Sequence, residues 1–305
     1  MKHISVLKNE SIAGLNIKEN GIYVDATLGL AGHSSEILKR IKSGKLLAFD
    51  QDLYAIEESR KLLSSISENY EIIYSNFSNI KEELYKRNVK KVDGILFDIG
   101  VSSMQLDEDY RGFSYHKAAP LDMRMDTNNT IFAKTVVNEY SMQKLIEIFY
   151  KYGESKYAKS IARNIVEKRP INTTLELAEI IKASVPFKEK RHTHPARVIF
   201  QAIRIEVNNE LEVFEKALKD SFDLVKVGGR ICVITFHSLE DKICKYLFKN
   251  VTTLNEELQD VLDLPQKYKP DFKLISRKGI KPTKEELKFN NRSRSATLRI
   301  IERVK

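Results

Sequence analysis

Four short apolar runs, the first three each followed by an amphipathic stretch, fill the first hundred residues and leave few folds open. The runs are 22–25 (IYVD), 46–50 (LLAFD), 72–74 (IIY) and 94–98 (GILFD). Residues 34–41, 53–65 and 80–87, which lie between or beside them, carry apolar side chains at helical spacing. Strands apolar on both faces and separated by helices predict a parallel sheet covered on both sides. Three of the runs end in an acid: Asp25, Asp50 and Asp98. Ligands on such sheets bind beyond the carboxyl ends of the strands, so these three side chains are expected around one crevice.

The alternation then stops. Residues 106–206 show no buried strand, only loops and helical periods at 142–150, 155–168, 174–183 and 195–207. The strand–helix pattern returns with a helix at 210–225, a Gly228-Gly229 turn, a strand at 230–235 and a helix at 239–248. Two further β-like runs, 272–275 and 296–301, close the chain. The expected organisation is one α/β domain, residues 1–105 and 207–305, interrupted by a helical domain, residues 106–206.

Hydrophobic residues make up 42% of the 305 and charged residues 30%, as in globular enzymes rather than disordered chains. No run approaches the ~20 apolar residues of a membrane helix. The first ten residues have no apolar core of a signal peptide. Cys232 and Cys244 stand far from any metal-ligand spacing. A cytoplasmic, disulfide-free protein without membrane contact is expected. The formal net charge is +9, and residues 266–305 alone carry 13 Lys/Arg against 4 Asp/Glu. The rest is therefore near neutral, and the basic segment has the character of a phosphate-backbone footprint or a solvated face.

After the first strand the chain reads Asp25-Ala-Thr-Leu-Gly29-Leu-Ala31-Gly32-His33-Ser34. Small residues let a backbone pass close to a ligand, and Ser34 can cap the next helix. No G-x-G-x-x-G is present, which argues against a nicotinamide dehydrogenase. A methionine-sulfonium nucleoside has no pyrophosphate and needs only the close approach. Asp50 ends the second strand, where a ribose diol would meet a carboxylate. Phe77, after the third strand, could stack on adenine or sit in the core. Asp98 opens the segment DIGVSSMQLD (98–107), which lacks the Pro-Pro-aromatic motif of many amino-methyltransferases, those of DNA included.

The matching stretches DATLGLAGHS (25–34), FDIGVSSMQLD (97–107) and RGFSYHKAAPLDMRMD (111–126) are characteristic in series. So are YGESKYAKSIAR (152–163), HPARVIFQAIRIEVNNEL (194–211), GGRICVITFHSLEDK (228–242) and RSRSATLRIIER (292–303). Taken in order, they resemble the bacterial 16S ribosomal RNA cytosine-N4 methyltransferases, the methyltransferase H or MraW family. The resemblance spans nearly the whole chain. It implies a class I S-adenosylmethionine-dependent methyltransferase, α/β and Rossmann-like, with a mostly parallel seven-stranded sheet and an inserted helical substrate-recognition domain. It implies S-adenosylmethionine as cofactor, small-subunit 16S ribosomal RNA as partner, and a decoding-centre cytidine as target. It places cofactor contacts on Ala31, Gly32, His33, Asp50, Phe77, Asp98 and Gln105. At Ala31 the family usually has Gly, so a slightly tighter cofactor loop is expected.

The cytosine N4 lone pair is delocalised into the ring, so transfer requires alignment of N4 with the methyl group and an acceptor for the N4 proton. Asp98, backbone carbonyls of 100–103 and Asp122 of PLDMRMD are open candidates for that acceptor. His237, Ser238 and Asp241 of FHSLEDK can line the base pocket, or Ser238 can simply cap a helix. His192 and His194 lack a third and fourth ligand in register, so no metal is expected. Lys188, Lys190, Arg191, Arg197 and Arg204 are read as an RNA-backbone surface. A catalytically inert RNA-binding scaffold would not need acids ending strands one, two and four. The oligomeric state, a homodimer included, is left open.

Overall fold

The structure, a computed structural model, describes residues 5–100, 109–186, 194–254 and 265–305. The chain divides into two compact units, one of residues 1–100 and 211–305, the other of 101–210.

The first unit is built on β1 (Ile22–Asp25), β2 (Lys45–Asp50), β3 (Tyr70–Tyr74), β4 (Val92–Asp98), β5 (Val225–Thr235), β6 (Phe272–Leu274) and β7 (Thr297–Arg303). They lie in the order β3-β2-β1-β4-β5-β7-β6. The first five are parallel, and β7 runs antiparallel to both β5 and β6. Neighbouring strand residues face opposite sides. Leu47, Phe49, Phe97 and Val233 enter one core with Phe214 and Leu218 of α10 (Glu210–Leu224) and Phe248 of α11 (Ser238–Thr252). Leu46, Ala48, Leu96 and Ile234 enter the other with α1 (Lys8–Leu15), α2 (Gly32–Leu38) and α3 (Leu53–Ser64). Both faces are thus sealed, and only the carboxyl rim of the parallel strands is left to polar chemistry. α4 (Ile80–Lys86) covers the edge near β3 through Ile80 and Leu84.

Two local expectations change. Gly228 and Gly229 do not end an element; they lie inside β5, which begins at Val225. The pairing jumps from Val92↔Val225 to Gly94↔Arg230, so β5 carries extra residues there, and Gly228 absorbs them at φ +78°. α1, which the sequence pattern did not mark, packs Leu15 onto Tyr23 and Gly94 of the sheet.

The second unit is helical: α5 (Ala133–Glu139), α6 (Met142–Lys151), α7 (Ala158–Glu167), α8 (Thr174–Ala183) and α9 (Ala196–Asn208). Leu145, Phe149, Ile161, Ile165, Leu177, Ile181, Ile199 and Ile203 are buried, the inward stripes of amphipathic helices. Thr173 and Glu176 form a capping box at the start of α8. Asn208, at the end of α9, accepts from Met125 N and donates to Met123 O, which pins the PLDMRMD segment to this unit.

Candidate active site

The acids ending β1, β2 and β4 have three different environments. Asp25 is fully buried, and its oxygens accept from Thr27 N at 3.1 Å and the Ser34 hydroxyl at 2.7 Å. It ties the turn after β1 to the first turn of α2, so its role is to shape the loop. Asp50 accepts from Gly29 N and from Asp52 N, both at 2.9 Å. Burial pushes its pKa up to about 6, against the pull of those backbone hydrogen bonds. Asp98 is 23% exposed and stands beside His33, Oδ2 to Nδ1 at 3.4 Å. Its Oδ1 is buried and has no hydrogen-bond partner among the described residues. Burial first, then the charges of Asp25 and Glu240, hold its carboxyl well above the usual range.

The loop between β1 and α2 explains why small residues are needed there. Gly29 and Ala31 both adopt left-handed conformations, at φ +49° and +57°. Glycine takes that region freely; alanine takes it at a cost on the order of 1 kcal/mol. Gly32 makes room for a different neighbour than expected: a Cβ there would lie 1.8 Å from the Ser5 hydroxyl. Residues 5–7 therefore press against the loop, and Val6 O accepts from His33 Nε2 at 3.1 Å. The other ring nitrogen, Nδ1, faces the Asp98 carboxyl. His33 is 5% exposed.

Phe77 lies in a short 3-10 turn after β3, capped by Asn76. Its ring meets Phe97 edge to face at 5.9 Å, and it is partly buried against the sheet core. The core reading of Phe77 holds for one side of the ring, which packs on the sheet core. Gln105 lies outside the described residues.

Two of the sequence's candidate acids are already committed. Asp122, in the helical unit, holds Arg124 through two 2.8 Å contacts. Burial pushes its pKa up, but the Arg124 hydrogen bonds outweigh burial and bring it below the ordinary value. Asp241 is held the same way by Arg299 of β7, at 2.7 and 3.1 Å. His237 caps α11: its side chain accepts from Glu240 N, and Glu240 returns the bond to the backbone of Phe236 and His237. Its Nε2 rests 2.9 Å from Glu240 Oε1, out of hydrogen-bond alignment. The capping residue is thus His237, one position before the Ser238 that the sequence suggested.

Of the basic side chains read as an RNA surface, Arg204 forms a two-pronged pair with Glu210 at 2.8 and 2.9 Å and is turned inward. Lys188, Lys190 and Arg191, with His192, lie outside the described residues. Cys232 and Cys244 are buried free thiols. Among the described residues no helix is long and apolar enough to cross a membrane.

The crevice suits a nucleoside that is cationic at its reacting end. Asp50 offers a carboxylate to hydroxyl donors, Asp98 keeps one oxygen unspent, and Gly29 permits close backbone approach. A sheet of this order, reversed only at β7, is the frame of the class I methyltransferases, which take their methyl group from S-adenosylmethionine. Within that class the chain belongs to the MraW methylase family, whose pattern matches residues 1–304. A Mesoplasma florum protein named ribosomal RNA small subunit methyltransferase H is 53% identical over 99% of both chains. Proteins of the same name from Exiguobacterium sibiricum and Mycoplasmopsis agalactiae are 52% and 50% identical, covering 100% and 99% of this chain and 99% of their own lengths. An rRNA methylase structure from Streptococcus thermophilus covers 98% of this chain and 95% of its own, at 13% identity and a TM-score of 0.43.

Proposed function

We propose that this protein methylates the N4 amine of a decoding-centre cytidine in the 16S RNA of the small ribosomal subunit. The relatives' shared name supports ribosomal RNA as substrate. The choice of an exocyclic amine rests on one observation, the partly exposed carboxyl of Asp98 at the carboxyl end of β4.

S-adenosylmethionine, when bound, supplies an electrophilic methyl group on sulfur. Asp50 would take the ribose hydroxyls, Phe77 would lie along the adenine, and Ala31, Gly32 and His33 would line the cofactor, with Gln105 assigned to it by the family resemblance alone. Methylation would leave N4 with one proton too many, and the Asp98 carboxylate, when ionised, would accept it. A carboxyl with a raised pKa is a better base than an exposed one, provided it is ionised. Transfer should therefore fall as pH drops through the Asp98 pKa. Asp122 is the weaker candidate because Arg124 already occupies both its oxygens. His237 sets the start of α11 beside β5 and acts through position. The helical unit, far larger than a free nucleoside needs, reads the shape of a folded RNA.

The experiment is transfer of labelled methyl to small subunits lacking the modification, to naked 16S RNA and to cytidine, followed by nucleoside digestion. The expected product is N4-methylcytidine in the subunits. Label on C5, on a ribose oxygen or on adenine overturns the amine assignment. Efficient methylation of free cytidine overturns the role given to the helical unit.

A further inference from the structure

The C-terminal part of the sheet unit carries a side chain that the methyl-transfer site does not use. α12 (Lys284–Phe289) ends in Phe289, which at 79% exposure is the most exposed large apolar side chain among the described residues. Its backbone is not loose. Thr283 caps the helix through Glu286 N, and Glu286 Oε1 accepts from Leu7 N at 2.9 Å. Asn290 N donates to Glu286 O at 2.7 Å, and the buried Ser293 donates its hydroxyl to Asn290 O at 2.7 Å. Ala296, fully buried, then leads into β7. The ring is thus held in water by a fixed support on both sides.

Much of the charge around it is equally unspent. Lys284, Lys288, Arg292 and Arg294 are exposed, with Glu285 the exposed acid in the same stretch. Lys284, Lys288 and Arg294 form no ion pair with any described residue. On the β1–β4 half of the same unit six lysines, Lys39, Lys42, Lys45, Lys61, Lys81 and Lys86, each meet a carboxylate. An exposed ring in one short segment with unpaired cations matches a single nucleic-acid strand, whose bases stack and whose phosphates need counter-charge. A protein partner would call for a contiguous apolar patch. The helix positions four and three before Phe289 are Glu285 and Glu286, neither of them apolar.

We propose that Phe289 is a stacking platform for an unpaired base of the RNA substrate, with Lys284, Lys288 and Arg294 holding phosphates of the same strand. The inference rests on RNA being the substrate. Its own content is a second contact, away from the reacting base, that selects single-stranded over paired RNA. Lys281, otherwise an attractive member of the patch, is engaged by the Thr297 hydroxyl at 2.5 Å and is left out.

The test measures binding of the full chain to a fluorescent single-stranded oligoribonucleotide and to the same sequence as a duplex, across a salt series. Phe289→Ala should weaken single-strand binding by about 5- to 150-fold, the range for losing one base–aromatic stack. It should leave the salt slope and duplex binding unchanged, and Phe289→Tyr should restore affinity. Lys284→Glu and Lys288→Glu should instead flatten the salt slope, by up to ~0.7 for each phosphate no longer neutralised. Wild-type affinity in Phe289→Ala, with methylation of small subunits intact, overturns the platform and leaves the RNA reading standing. Failure of wild type to bind RNA or methylate subunits overturns the RNA reading itself. A change in sedimentation of Phe289→Ala with RNA binding intact identifies a protein contact and likewise overturns the platform.

Discussion

Asp50 gives a test in which stability and ligand binding move separately. Its pKa is about 6 in the fold, against an ordinary value of 3.8. The folded protein therefore holds the proton more tightly than the unfolded chain between those values. The contribution to stability is full below pH 3.8 and is lost as pH rises through about 6. At about 1.36 kcal/mol per pH unit the whole loss is roughly 3 kcal/mol, and about 1.4 kcal/mol of it falls between roughly pH 5 and pH 8. Asp50→Asn cannot titrate, so its cofactor-free stability should lack that slope. An amide also offers one oxygen where Gly29 N and Asp52 N now find two, which costs about 1 kcal/mol at every pH and does not alter the slope. Cofactor affinity should fall by about 1.5–3 kcal/mol, the range for a hydrogen bond to a charged group. Urea melts at the two pH values, without cofactor, read the slope; calorimetric titration reads the affinity. Equal pH slopes in wild type and Asp50→Asn, or unchanged affinity, would refute the reasoning.

Gly32→Ala should destabilise by about 1–3 kcal/mol, because its methyl lands on the Ser5 hydroxyl; adding Ser5→Gly should recover most of the loss in thermal melts, and a neutral single variant would contradict the packing. His237→Ala should cost about 0.5–2 kcal/mol as a lost helix cap, while His237→Asn, a good cap without acid–base chemistry, should keep both stability and turnover. Loss of turnover in a stably folded His237→Asn would show that the imidazole takes part in the chemistry.

The sheet was legible because its strands are continuous apolar runs whose ends are marked by acids, and helices of ordinary length separate them. Asp25, Asp50 and Asp98 followed from that pattern alone. What escaped notice was mostly set by contacts distant in sequence. Nothing near Gly32 announces Ser5, and nothing near His33 announces that Val6 O will bury it. Arg204 reads as a surface charge until Glu210 is seen to grip it. Asp122 and Arg124 are close in sequence, yet a two-residue spacing in irregular backbone gives no rule that they will pair. α1 and α12 are short, and α1 has no clear apolar stripe, so periodicity had little to act on. Gly228-Gly229 has the composition of a turn; only the register against β4 shows it to be an irregularity inside β5.

β4 and β5 are hydrogen-bonded neighbours at the middle of the sheet, yet the chain between them is an entire compact unit. During synthesis the ribosome releases β1 to β4 with one edge of β4 still bare. That edge waits until residues 101–210 and then α10 have emerged. The helical unit, with a buried core of its own, can fold in the interval. Truncation after residue 210 would release a four-strand half-sheet with an unpaired apolar edge, a substrate for aggregation rather than a smaller enzyme. Pulse-labelling of stalled nascent chains should therefore find protease resistance in 101–210 before it appears in 22–98.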